Sequence, residues 1–201
     1  YRETSFLFIT SSSIRWMASY KYKGNSMVSE LDLDRAFADK IATSPKFLKW
    51  VLRQTKFQEL ENELILLDRE QAEAKPSKKP ENWWRHWWCR LEDGSESETD
   101  IFLVLRVPDS GERIALHVED KPPHGKFTPN QYLNYKRRAE FMANKDQYMN
   151  YSDFTTILLA PNSFFEENGD KVKHFDCLIS YEDVSSFIPL FGLSIREAKN
   201  T

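Results

Sequence analysis

Two apolar, β-prone runs frame this chain: DIFLVLRV (100–107) and RIALHVEDK (113–121), separated by the turn-forming PDSGE. A hairpin with a four-residue loop from Asp109 to Glu112 is the arrangement predicted for them. That loop pairs Val107 with Ile114, Leu105 with Leu116 and Leu103 with Val118. Facing residues share a side of the sheet and sides alternate along a strand. One side then becomes apolar throughout: Ile101, Leu103, Leu105, Val107, Ile114, Leu116 and Val118. The other carries Asp100 opposite Lys121, Phe102 opposite Glu119 and Val104 opposite His117. A one-residue slip would set Glu119 against Ile101 and mix the two sides, which burial disfavours. The pattern that builds a core therefore gathers Asp100, Glu119 and Lys121 at one end of one side. Pro122 and Pro123 stop pairing just beyond.

Two carboxylates this close repel unless a cation lies between them or one holds a proton. Oxygen ligands with room for several waters suit Mg²⁺ or Mn²⁺. Lys121 has the charge to offset a pentacovalent phosphate or to orient a nucleophilic water. The competing reading is a salt-bridged strand end, the default for an isolated E-x-K.

The remaining segments are read around this hairpin. Residues 5–16 look strand-like at both ends, and 29–41 reads as a short helix. Ser44 caps a helix that begins at Pro45 and repeats Phe47, Leu48, Val51 and Leu52 at helical spacing. A third helix is expected over 57–74 on a stripe of Leu60, Leu64 and Leu67, and 75–80 is a proline-bounded linker. Trp83, Trp84, Trp87 and Trp88 are expected as a buried helical face or aromatic wall, in preference to a platform for stacking bases. Residues 92–98 form an acidic turn. Thr128 with Gln131 makes a capping box, with Pro129 at the first helical position and the helix running to about 143. A strand at 153–161 follows, then a strand leading into a short helix within 173–191.

The chain of 201 residues suffices for a single domain over 1–201, with a mostly helical part and linker at 1–80 and the core at 81–191. At 40% hydrophobic and 29% charged it reads as soluble and globular, without a run of about 18 apolar residues to cross a membrane. A net charge of −3 argues against nucleic-acid binding over the whole surface, but not against a local basic groove. Cys89 and Cys177 make neither a disulfide framework nor a zinc spacing, so a reducing compartment is expected, cytoplasmic or, in a eukaryote, nuclear. The opening YRETSFLFIT reads as neither a signal peptide nor a natural start, so a trimmed chain is expected.

Asp100, followed about twenty residues later by Glu119-x-Lys121 on the next strand, resembles the PD-(D/E)XK nuclease superfamily. The next helix adds to the likeness: Gln131, Tyr135 and Arg138 lie at i, i+4 and i+7 on one face, similar to the Q-x-x-x-Y helix of several branches. FLKWVLRQ is similar to the helix that precedes the core in such nucleases, and the resemblance covers about residues 45–160. It implies an α/β (α+β) fold of restriction-endonuclease-like type: a central mixed β-sheet flanked by helices, here with an N-terminal helical region. It implies metal-dependent hydrolysis of DNA phosphodiester bonds, endo- or exonucleolytic, with Mg²⁺ or Mn²⁺ as cofactor. Asp100 and Glu119 would ligate the metal together with the backbone carbonyl of Asp120. Lys121 would assist the water or the transition state, and Gln131 would support the site. Tyr135, Lys136 and Arg138 of the YKRR cluster, with His124 and Lys126 of PPHGK, are the expected contacts to DNA; a solvated helix face is the plainer reading of YKRR, and core packing is at least as much expected of Tyr135 as DNA contact. The likeness departs from the pattern in having Thr99-Asp100 where the family has Pro-Asp. Its further upstream acid is Glu30, Glu92 or Glu98. His117 reads as a satisfied strand histidine. RNA as partner, a homodimer and a partner subunit stay open. So do two other functions: a non-catalytic scaffold on a nuclease-like fold, and a phosphodiesterase acting on RNA or nucleotides.

Overall fold

A computed structural model describes residues 27–75 and 79–200. The strand expected at 5–16 and the middle of the 75–80 linker lie outside them. The chain starts with two helices, α1 (Glu30–Thr43) and α2 (Pro45–Arg53). Ser29 begins α1 through a reciprocal capping box with Asp32, and the Ser44 hydroxyl accepts from the Phe47 amide at the start of α2. A two-residue strand β1 (Ile65–Leu66) and α3 (Asp68–Ala74) come next. A small ribbon of β2 (Trp87–Arg90) and β3 (Glu96–Thr99) leads into β4 (Ile101–Arg106) and β5 (Arg113–Asp120). Then follow α4 (Gln131–Met142), β6 (Asp153–Ala160), α5 (Asn162–Val172), β7 (Cys177–Ser180), the single turn α6 (Tyr181–Val184) and α7 (Pro189–Ala198).

The main sheet runs β1-β4-β5-β6-β7. Its β1–β4–β5 half is antiparallel, and β5, β6 and β7 are parallel. Parallel neighbours need a crossover, which α4 and α5 supply. The architecture is thus the expected mixed sheet flanked by helices, with helices in the N-terminal region. One side of the sheet, through Ile101, Leu103, Leu105, Ile114, Leu116, Val118, Ile157 and Leu159, packs on Leu33, Phe37, Phe47, Val51 and Phe191 from α1, α2 and α7. The other side carries Phe102, Val104 and Ala115, covered by Trp87, Met142 and Tyr151. Among the described residues no helix is long and apolar enough to cross a membrane.

The hairpin keeps both sides as read from the sequence, but its register differs by two residues. Leu105 pairs with Ile114, Leu103 with Leu116, Ile101 with Val118, and Phe102 with His117. The four-residue loop is Pro108–Gly111: the Val107 amide donates to the Glu112 carbonyl at 2.8 Å, and the Gly111 amide to the Val107 carbonyl at 2.9 Å. This loop puts Pro108, which has no N–H, outside the ladder. It also gives Gly111 the positive φ of 71° that closes the turn. Carried one step further, the pairing sets Asp100 level with Glu119 and not with Lys121.

The helix expected over 57–74 is broken into a 3₁₀ turn (Gln58–Leu60), β1 and α3. Leu64 and Leu67 are buried as their stripe required. The backbone between them, however, pairs with the open edge of β4: Ile65 with Arg106 and Leu66 with Leu105. Ladder bonds that β4 would otherwise lack outweigh local helix preference there. Trp83, Trp84 and Trp87 are buried, as the core reading required, but in the turn after a 3₁₀ helix (Pro80–Asn82) and in a strand and not as a helix; Trp88 is 57% exposed. The acidic turn at 92–98 is partly strand, since Glu96–Thr99 pairs with Trp87–Arg90. Thr128 is not the cap of α4, which begins at Gln131 after Asn130 in the left-handed region (φ 62°). Pro129 therefore lies before the helix and not at its first position. Half of the capping box persists, because Gln131 Oε1 accepts from the Thr128 amide at 3.1 Å.

Candidate active site

The site lies where β4 begins and β5 ends. Val118 is the last apolar anchor of β5, so Glu119 points to the opposite side, the side that also bears Asp100. Glu119 is fully buried, Lys121 is 7% exposed, and Asp100 is half-buried. Lys121 Nζ contacts Glu119 Oε1 as an ion pair. Gln131 Nε2 donates to the same oxygen at 2.6 Å. With Gln131 Oε1 taken by Thr128, the orientation of this amide is fixed by two bonds. Asp100 Oδ2 accepts from the Asp120 amide at 3.0 Å, which ties the two strands together at the carboxylates. The Tyr135 hydroxyl lies 3.2 Å from the Val118 carbonyl, accepts from the Asp100 amide at 3.4 Å, and lies 3.5 Å from Asp100 Oδ2.

Burial raises the Glu119 carboxyl well above the usual carboxylate range; Asp100 adds to the rise, and Lys121 opposes it. Burial alone would lower the Lys121 ammonium, but Glu119, Asp100 and Glu30 more than offset it, so the net direction is upward. Lys121 therefore carries its proton. Burial, then Asp100 and Glu119, holds the Tyr135 hydroxyl well above the usual phenol range. Of the three upstream acids, Glu30 is the one whose charge reaches the site. Crowding by protein raises its carboxyl, Asp100 adds to this, and Lys121 and Arg85 oppose it. Glu92 is exposed, and Glu98 is occupied on the surface by His86 at 2.9 Å.

One group escaped the sequence reading. Asp34, one turn after Glu30 on α1, is buried and close enough to Asp120 for their charges to repel, and Asp34 Oδ1 and Asp120 Oδ2 are both buried without a hydrogen-bond partner among the described residues. Two such carboxyls can satisfy each other only if one keeps a proton. Burial first, and then Asp120, Asp100 and Glu30, raises Asp34 well above its ordinary range. Burial also raises Asp120, while the Tyr181 hydroxyl, donating to Asp120 Oδ1 at 2.5 Å, works against this. The available signal was Asp34 sitting among Leu33, Ala36 and Phe37 on the helix face that turned inward.

The residues expected to meet DNA divide in two. His124, Lys126 and Lys136 are exposed; His124 Nε2 lies 3.2 Å from the Ala198 carbonyl, and Lys136 Nζ 4.0 Å from Asp176. Tyr135 and Arg138 are buried: Tyr135 takes the core-packing alternative to DNA contact, and Arg138 is corrected from the surface placement expected for it. They lie on the inward face of α4 because that face crosses the sheet at the site. The Arg138 guanidinium stacks on the Tyr135 ring, 3.8 Å from its centroid, and Nη1 donates to Ser97 Oγ at 2.6 Å and to the Glu98 carbonyl. His117 is a satisfied strand histidine. The Tyr151 hydroxyl donates to the Ala139 carbonyl at 2.5 Å and so accepts from His117 Nε2 at 3.0 Å, leaving Nδ1 to accept from Thr99 Oγ1 at 3.3 Å. Burial, and then the charge of Arg138, pushes its pKa well below the usual histidine range.

A surface cavity of about 920 Å³, lined by Glu70, Glu112, Arg113 and Asp146, lies at the turn end of the hairpin, opposite the carboxylates. No family model, curated protein or solved structure matches the chain.

The donor set can be tested against a divalent ion. Among the described residues no three His, Cys, Asp or Glu side chains are gathered to hold one. Mg²⁺, however, is usually bound by one or two carboxylates and keeps several waters. Asp100, Glu119 and the Asp120 carbonyl are a set of that kind. Glu119 Oε2 is buried without a hydrogen-bond partner among the described residues, and an unpartnered buried carboxylate oxygen is costly. Oxygen donors of this kind have the chemistry that a hard cation takes.

Proposed function

We propose that this chain is a metal-dependent nuclease that hydrolyses DNA phosphodiester bonds at the Asp100–Glu119–Lys121 site. The observation that carries the reading is the convergence of those three side chains at one end of one sheet side, with Gln131 bonded to Glu119. Asp100, Glu119 and the Asp120 carbonyl would hold Mg²⁺ or Mn²⁺. Such an ion supplies Lewis-acid charge to the phosphoryl oxygens and acidifies water. The chain's own residues do the rest. Gln131 fixes the rotamer of Glu119. Lys121, kept protonated by three neighbouring carboxylates, offsets negative charge that grows on the phosphate. Burial of Glu119 and Lys121 limits water and strengthens these interactions. His124, Lys126 and Lys136 offer exposed positive or neutral donors for the phosphate backbone.

One observation favours a second reading, a non-catalytic scaffold: Lys121 already pairs with Glu119, so the site has its own internal cation. The test is cleavage of single- and double-stranded DNA and of RNA with Mg²⁺ or Mn²⁺, beside Asp100→Ala and Lys121→Met. Cleavage by the wild-type chain, lost in Asp100→Ala and reduced about a hundredfold or more in Lys121→Met, is expected. Lys121→Met should still bind the ion, since lysine is not a ligand. Equal cleavage by all three would remove the site from the reaction. Absence of ion binding by calorimetry in a folded wild-type chain would favour the scaffold.

A further inference from the structure

Arg138 is a cation in an unusual setting. It is 1% exposed, and no carboxylate among the described residues forms an ion pair with it. Its Nε and Nη2 have no hydrogen-bond partner there, and Nη1 bonds only neutral oxygens. A guanidinium is a permanent cation, and burying one without a counterion is expensive. Its position shows what it holds. The end of β3 and its one-residue link to β4 are Glu98-Thr99-Asp100, and a different buried side chain grips each of these residues. Arg138 takes the Glu98 carbonyl, His117 takes the Thr99 hydroxyl, and the Tyr135 hydroxyl takes the Asp100 amide. The ring of Tyr135 is in turn the surface on which the guanidinium stacks.

We infer that Arg138 is a positioning residue for the metal site: it fixes Asp100 through the Glu98 carbonyl on one side and the Tyr135 ring on the other. The inference rests on the proposed metal-dependent reading, because it says which residue presets a ligand of that same site. A ligand held by partners behind it costs less to order when the ion arrives, and loss of such partners elsewhere weakens metal binding by about 10–100-fold. Arg138 touches neither ion nor substrate. Its removal should act on ligand geometry and not on the reacting atoms.

The experiment uses the full chain and two variants, Arg138→Met, which keeps much of the stem without the charge, and Tyr135→Phe, which keeps the ring without the hydroxyl. Two readouts are taken: Mn²⁺ affinity by calorimetry, and hydrogen exchange of the Asp100 amide by NMR in the metal-free protein. Both variants are expected to bind Mn²⁺ about tenfold or more weakly and to exchange the Asp100 amide at least tenfold faster. Arg138→Lys, able to donate to the Glu98 carbonyl, should recover part of both losses, and it replaces Arg138→Met if that variant does not fold. Wild-type affinity and amide protection in either variant overturn the inference while leaving the metal site standing. A wild-type chain that binds no Mn²⁺ overturns the metal-dependent reading and this inference with it, whereas the amide exchange alone tells whether the Arg138–Tyr135 clamp exists.

Discussion

A proton held between Asp34 and Asp120, whose Oδ1 and Oδ2 have no other partner among the described residues, would make stability depend on pH in a way that can be worked from its parts. In the folded chain Asp34 is raised by burial and by the neighbouring carboxylates; in the unfolded chain it returns to an ordinary value of 3.8. A carboxyl whose folded pKa is raised stabilises the fold fully below the unfolded pKa, and that contribution is lost as pH rises through the folded pKa. One proton suffices for the pair, since Tyr181 supplies the other donor to Asp120. Between those two values the wild-type chain should therefore lose about 1.4 kcal/mol of stability for each pH unit on account of this proton. Asp34→Asn places an amide N–H where the proton was, with nearly the same shape and no titration. The variant should match the wild type near pH 4 and become progressively more stable above it. Urea unfolding in EDTA, at half-unit steps from pH 4.5 to 8, measures the difference directly. A difference between the two chains that stays flat across that range, or an Asp34→Asn chain that is the less stable of the two at pH 8, would refute the shared-proton account.

Two further outcomes follow from the same site and its surroundings. His117, held neutral by burial and Arg138, cannot take up the proton that an unfolded histidine binds below about 6.5. Stability should therefore fall by up to about 1.4 kcal/mol per pH unit below that value from this group, and the imidazole signal of His117 should not titrate between pH 7 and 5.5 in an NMR series. Glu119→Gln should abolish metal-dependent cleavage while the fold persists, because Lys121 keeps Asp100 and Glu30 as neighbours and one of two repelling carboxylates is gone. Thermal unfolding checks this: a fall of more than about 8 °C, the upper end of the shift expected of a loss of about 2 kcal/mol in a chain of this size, would mark Glu119 as a structural ion-pair member instead.

The sequence made the hairpin's two sides legible because period-two alternation survives any even shift of register. It could not choose between registers two residues apart, since both bury the same set; Pro108 and Gly111 made that choice through the turn. It placed Asp100, Glu119 and Lys121 on one side for the same reason, and α4's spacing aligned Gln131 and Tyr135 with them. The orientation of that helix was not legible. Arg138 reads as a basic surface residue in YKRR until the helix packs on the sheet and turns it inward. Segment 57–74 shows the opposite limit. Its leucines are spaced for a helix, and only the unsatisfied edge of β4, far along the chain, draws two of its residues into a strand. Asp34 was hidden by the same distance, because its partner Asp120 lies in a different part of the sequence and meets it only when α1 docks.

The antiparallel hairpin and the crossover helix carry a consequence for how the site comes into being. Asp100, Glu119, Lys121, Gln131, Tyr135 and Arg138 all fall in one unbroken stretch, 100–138, and the connections within it are short. Closing short loops costs little chain entropy, and local contacts form early. The geometry of the candidate site thus belongs to a single segment of short-range contacts, distinct from the N-terminal helices. The arrival of α1 then sets Asp34 near Asp120 on the other side of the sheet, behind the site. The candidate site and the buried carboxyl behind it thus come from two separate parts of the chain.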